Sequence, residues 1–168
     1  MIDKKIELEF YKNELYNEVL PFWEKYSPDL EFGGVFTCFS NDGAKLLSED
    51  KYIWSQGRVL WVLSRILKRA EIDGKRLLML RELADKTAEF LMERSRLENG
   101  NCVFLTDRRG EHKLSGGVLD ASFYADCFVI LGTAEYASYK KDYDALAFSL
   151  DLYLHTRERV DIHITLID

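Results

Sequence analysis

The run KYIWSQGRVLWVLSRIL, Lys51 to Leu67, decides how the rest of the chain is read. It is long enough for several helical turns, and it is apolar on nearly every side. A helix of that kind must be covered all round, so it belongs inside a layered helical protein. Yet Gln56 and Arg58 stand near its start. Trp54 and Arg58 are four residues apart and share one face, whereas Gln56 points elsewhere. An arginine cannot shed its charge, and burying it without a partner is expensive. Two readings follow. Arg58 is paired with Glu49, Asp50 or Asp126, or caps carbonyls, and Trp54 is core. Alternatively the helix begins at the mouth of a cavity, where Arg58 offers its fork to an oxygen of a ligand and Trp54 stacks on it.

Working outward, the spacing predicts five helices: Asp3 to Lys25, Tyr52 to Glu71, Lys75 to Leu97, Leu119 to Tyr139 and Asp142 to Arg159. The first carries Ile6, Phe10, Leu15, Val19 and Phe22-Trp23 on a broad stripe, and Pro21 kinks or ends it. The second and fourth are apolar nearly all round. The third and fifth each have one polar face, as outer helices should. Two segments between them have hairpin chemistry: Gly33–Leu47, turning at Asn41-Asp42-Gly43, and Gly100–Leu114, turning at Asp107–Gly110. Val35-Phe36 and Val103-Phe104 stand 68 residues apart. An apolar helix follows each hairpin, so the chain reads as a weak repeat of outer helix, hairpin and inner helix. Such units cannot bury their apolar faces alone.

Composition narrows the function classes. The chain has 168 residues, 47% apolar and 31% charged, with a net charge of −6, which is ordinary for a globular domain and argues against a polyanion partner. No nucleic-acid footprint is expected, because the longest basic cluster is Arg108-Arg109. No membrane span or signal peptide is read, and a cytoplasmic location is expected. Cys38, Cys102 and Cys127 lack zinc spacing, so no metal site is expected and the thiols read as reduced, with Cys127 in the core.

The run GGVFTCFSNDGAKLLSEDKYIWSQGRVLWVLSRIL closely resembles the N-terminal signature of the N-acylglucosamine 2-epimerase family, GG-x-F-T…D-G…K-x-x-W-x-Q-G-R-x-x-W-x-x-S. The later run ASFYADCFVILGTAEYA (Ala121–Ala137) resembles that family's second marked helix. The resemblance spans Gly33 to about Glu158 in order. It implies an all-α fold, an incomplete (α/α)6 barrel with about five of twelve helices and two short β-hairpins. It also implies a sugar substrate whose proton alpha to the carbonyl is removed. Members act on N-acylglucosamine, on cellobiose or as mannose-type aldose–ketose isomerases. By the resemblance, Arg58 is the catalytic arginine that stabilises the oxyanion, Trp54 is a substrate-binding wall and Tyr124 donates to sugar oxygens. Gln56 and Gly57 read as structural, and Asp126 as a carboxylate that orients a neighbour or is merely satisfied at the surface. No cofactor is implied, and no Gly-rich phosphate loop is found.

The family's two catalytic histidines lie beyond the matched region. His112, His155 and His163 match neither. His112 reads as solvated and His155 as belonging to an outer helix. Residues 1–160 are therefore expected to be the N-terminal part of the barrel domain, and 161–168 an atypical tail from truncation or frameshift. A complementary C-terminal half or a homo-oligomer is the expected partner.

Overall fold

The computed structural model describes residues 3–69, 72 and 74–165, with side chains through residue 160. Helix α1 (Lys4–Asn13) passes through a π-helical turn (Glu14–Val19) into α2 (Leu20–Tyr26). Asp3 caps α1, its carboxylate accepting from Lys5 N at 2.9 Å. Pro21 sits in the first turn of α2, where its missing N–H breaks no helical bond. The apolar stripe expected along this stretch is not buried as a whole. α1 buries no residue, and Ile6 and Phe10 are 68% and 55% exposed. Among the described residues nothing packs over this part of the stripe.

The remaining helices are α3 (Ile53–Arg69), α4 (Gly74–Arg94), α5 (Tyr124–Lys140) and α6 (Tyr143–Thr165). α3 packs along α5, α4 lies across both, and α6 covers α5. This is the expected two-layer arrangement, with α3 and α5 inside. Their core holds Ile53, Leu60, Leu63 and Leu67 of α3, Leu80, Ala84, Ala88 and Leu91 of α4, and Ala125 and Val129 of α5. Two helix boundaries differ from expectation by more than three residues. α5 begins at Tyr124 rather than Leu119, because the Leu119 carbonyl accepts from Phe104 N at 2.7 Å and is held in a loop pairing. α6 runs on to Thr165, so the backbone of 161–165 continues the helix. The rest of the expected tail lies outside the described residues, as does the side chain of His163.

Both hairpins form. β1 (Cys38–Phe39) pairs with β2 (Leu46–Ser48), and β4 (Leu105–Thr106) with β5 (His112–Lys113). In the turns, the Asp42 carboxylate accepts from Ala44 N at 3.0 Å, and the Asp107 carboxylate from Arg109 N and Glu111 N at 2.8 and 2.9 Å. The sequence reading missed a third strand. β3 (Lys51–Tyr52) leaves the first unit and pairs antiparallel with β4 of the second, Lys51 opposite Thr106.

The repeat is real in three dimensions. Ser27 and Ser95, 68 residues apart, follow α2 and α4, and each then leads into a buried Val that an inner helix secures. In the first unit Gln56, fully buried, accepts from Val35 N at 2.7 Å and donates to Val35 O at 2.8 Å. In the second, Asp126 accepts from Cys102 N at 2.9 Å, beside Val103. This answers why an amide stands in an apolar helix: it satisfies a buried backbone pair that would otherwise cost about 1–3 kcal/mol per group. Asp126 is buried, not at the surface. Burial pushes its carboxyl up, against the hydrogen bond from Cys102 and the charge of Arg159.

A buried ion pair joins the two units. Lys51 Nζ, without solvent exposure, donates to Asp29 at 2.9 Å, to Gly33 O at 2.6 Å and to Arg108 O at 2.7 Å. Arg108 also donates to Asp29, at 3.0 Å from Nε. Burial raises the Asp29 carboxyl, but the bonds from Arg108 and Lys51 outweigh it and hold it below the usual range.

Candidate functional site

On α3, at 100° per residue, Trp54, Arg58, Trp61 and Arg65 fall on one narrow stripe, while Gln56, Gly57 and Leu60 turn into the core. On α5 the matching stripe is Tyr124, Phe128, Leu131 and Glu135. The two stripes are adjacent because the helices cross at glycines. A Cβ on Gly57 would collide with the Phe128 carbonyl, and one on Gly132 with the Gly57 carbonyl. Gly57 therefore permits close packing, as expected, and that crossing places Arg58 beside Phe128.

Arg58 is exposed, and among the described residues no carboxylate lies within ion-pair distance of it. The partners considered for it are engaged elsewhere. Glu49 lies 3.8 Å from Arg108, Asp50 binds Lys113 at 2.5 Å, and Asp126 is 3.4 Å from Arg159. Instead the Arg58 guanidinium lies over two rings, 5.5 Å from the centroid of Trp54 and 5.4 Å from that of Phe128. The two rings approach each other at 6.1 Å. Trp54 is half-buried at the start of α3. Tyr124 opens α5, one turn before Phe128, and is 60% exposed, its ring 4.5 Å from Phe123. The structure thus brings Trp54 and Arg58 together and sets Tyr124 one turn away from their shared neighbour.

Sequence reasoning passed over Phe128. The signal was the seven-residue spacing: Trp54-x3-Arg58 recurs as Trp61-x3-Arg65, and Phe128 recurs as Glu135. One heptad along, the lower pair is arranged differently. Arg65 lies over Trp61 at 5.6 Å and has Glu135 at 3.8 Å, which also accepts from Lys68 at 2.7 Å. The lower arginine has a carboxylate beside it, shared with Lys68; among the described residues the upper one has none.

An open cleft of about 470 Å³ adjoins Arg58 on its other side, between the π-turn, α2, α3 and α4. Leu20, Trp23, Val59, Val62 and Leu83 make its walls apolar, and it contains neither Trp54 nor Tyr124. A sugar needs polar partners, so this cleft is not where the three expected residues converge. His112 and His155 lie apart from the stripe. His112 is exposed, with Nε2 3.1 Å from the Arg94 carbonyl, and His155 on α6 meets Asn101 Oδ1 at 2.8 Å. Cys102 is the buried thiol, whereas Cys127 is only half-buried, since it faces the open side of α5. Among the described residues no group of three or more His, Cys, Asp or Glu could hold a metal ion, and no helix is long and apolar enough to cross a membrane.

No family model matches the chain. Curated relatives do. The mouse (Mus musculus) protein named N-acylglucosamine 2-epimerase is 30% identical over 133 residues, which is 76% of this chain and 30% of that protein. The human protein of the same name is 29% identical over 121 residues, 71% of this chain and 27% of that one. The chain thus spans under a third of the length of these relatives. Among solved structures, a sugar epimerase from a ruminal bacterium superposes with a TM-score of 0.72 at 24% identity, over 89% of this chain and 36% of that one. The cellobiose 2-epimerase from Bacillus thermoamylovorans B4167 gives 0.69 at 23%, with the same coverage. Those structures carry the fold: the two-layered helices here are an arc of an (α/α)6 barrel. The curated relatives carry the lineage, and the chain belongs to the N-acylglucosamine 2-epimerase family, matching its N-terminal portion.

Proposed function

We propose that this chain supplies the oxyanion-holding wall of a sugar 2-epimerase that interconverts N-acyl-D-glucosamine and N-acyl-D-mannosamine. The observation that carries the reading is the Arg58 guanidinium, held beside Trp54 with no carboxylate partner among the described residues. Inversion at C2 requires removal of the proton alpha to the C1 carbonyl of the open-chain sugar. The electron pair then moves onto the carbonyl oxygen, and reprotonation on the opposite face completes the reaction. A preorganised cation at that oxygen is worth several kcal/mol in the transition state. Arg58 is the donor to the developing oxyanion. The face of Trp54 turned from Arg58 is the surface for the sugar, and Tyr124 binds sugar hydroxyls.

The acid and base are assigned to the part of the barrel beyond this chain, where the resemblance puts the family's histidines; among the described side chains, His112 and His155 are engaged with Arg94 and Asn101. A second observation favours a helical partner polypeptide, the complementary part of the barrel. α6 exposes Tyr143, Leu146, Leu150, Tyr153 and Leu154 at helical spacing, and α1 exposes Ile6, Phe10 and Tyr11. Both ends of the arc are therefore apolar, as two seams awaiting one occupant would be.

The test is hydrogen exchange at C2. The chain, completed by the remainder of the mouse relative, is incubated with N-acetylmannosamine in D2O and followed by proton NMR. Deuterium at C2 with formation of N-acetylglucosamine is expected. Exchange with cellobiose or mannose and none with the N-acyl sugar would move the substrate to another branch of the family. A folded barrel with no exchange on any of the three would overturn the reading.

A further inference from the structure

The two tryptophan–arginine ladders of α3 are an internal comparison. Each arginine lies over the tryptophan four residues before it, at 5.5 Å for Arg58 and 5.6 Å for Arg65. Opposite each, on α5, stands one residue of a heptad pair, Phe128 above and Glu135 below. The lower arginine therefore has a ring and, at 3.8 Å, a carboxylate that it shares with Lys68. The upper arginine is held by two rings. A ring attracts a guanidinium through its quadrupole and fixes its plane, but carries no formal charge and offers no acceptor to its N–H edge. A carboxylate does the opposite: it occupies the fork and cancels the field. The crossing at Gly57 and Gly132 fixes which α5 residue meets which arginine.

We propose that Phe128 is a positioning residue. With Trp54, whose ring lies 6.1 Å from its own, it forms an aromatic corner on one side of the Arg58 guanidinium, so that the N–H edge stays fixed and open to an oxyanion. Phe128 stands at the α5 position that, one heptad along, sets the Glu135 carboxylate 3.8 Å from an arginine. The inference rests on the reading that Arg58 meets an oxyanion. Its test needs no sugar and no turnover, so failure of the aromatic corner and failure of the epimerase reading are separable.

The chain is labelled with 15N-arginine, and the Nε–Hε signals of Arg58 and Arg65 are assigned from Arg58→Lys and Arg65→Lys. Sodium sulfate is the oxyanion probe, with sodium chloride at matched ionic strength as the control. The Arg58 signal is expected upfield from the rings and to move on sulfate addition, while the Arg65 signal stays in place. Phe128→Glu should abolish the sulfate response of Arg58 and make it behave as Arg65 does. Phe128→Tyr, which keeps the ring, should retain the response. If Phe128→Glu does not fold, Phe128→Leu carries the test: the Arg58 signal should move downfield, keeping only the shift due to Trp54. A wild-type Arg58 signal that ignores sulfate, a response that survives Phe128→Glu, or an upfield shift that Phe128→Leu leaves undiminished would each overturn the proposal.

Discussion

Gly57 of α3 rests against the carbonyl of Phe128 on α5, too close for a Cβ at Gly57 to fit. Gly132 meets the Gly57 carbonyl in the same way one turn further along α5. The obstacle at both positions is backbone, which cannot rotate away. Gly57→Ala and Gly132→Ala are each expected to cost about 3 kcal/mol or more, the upper range for overpacking, by urea denaturation. A loss under about 1 kcal/mol for either would mean that the helices separate easily.

Asp29 gives the fold an acid-sensitive joint. Its carboxyl is held low in the folded protein, against the raising effect of burial, by Arg108 and Lys51. A depressed folded value means stabilisation that is complete above the unfolded value, about 3.9, and is lost as pH falls through the folded one. The urea midpoint should therefore drop steeply below about pH 4 in the wild type. Lys51→Met leaves Asp29 buried with one cation fewer, and should cost about 3–5 kcal/mol at pH 7. If Lys51→Met matched the wild type at both pH values, the pair would contribute nothing.

The three thiols should react in a fixed order. Cys102 is buried, and burial together with the nearby Asp126 pushes its thiol up. Burial also raises Cys127, which is less enclosed. With a disulfide reagent at pH 8, Cys38 should label first, Cys127 more slowly, and Cys102 only on unfolding. Rapid labelling of Cys102 in the native protein would contradict the packing around Asp126.

Within a completed barrel, Arg58→Ala should reduce turnover by about 100-fold or more while leaving the circular dichroism spectrum unchanged. Arg58→Lys keeps the charge but loses the planar fork and should recover only part of the rate. Tyr124→Phe should raise the KM with little effect on kcat, because its hydroxyl serves binding in ground and transition states alike. Near-normal kinetics in Arg58→Ala would make the arginine structural, and unchanged constants in Tyr124→Phe would remove that tyrosine from the site.

Much of the architecture was legible before any coordinates. The alternation between helices apolar all round and helices with a polar face gave the two layers, because a helix shows its surroundings on its surface. The pairing of Gln56 with Val35 was not legible, although its orientation away from Arg58 was. A single buried amide reveals its partner only when a distant loop arrives. The strand at Lys51-Tyr52 was hidden for a similar reason: two residues have no periodicity, and its partner is more than 50 residues away. At the site, Trp54 and Arg58 were legible as an i, i+4 pair. Phe128 was not, since which residue of α5 meets Arg58 depends on the glycine crossing.

The strand Lys51-Tyr52 has one more consequence. Sequence similarity divides the chain into modules ahead of α4, yet β3 crosses that division and hydrogen-bonds to the hairpin of the next module. Lys51 completes the crossing by donating to the Arg108 carbonyl. The first module thus lends a finger to its successor, in the manner of a handshake. Anyone splicing, duplicating or transplanting these units should cut upstream of Lys51, so that the borrowed strand travels with the hairpin it serves.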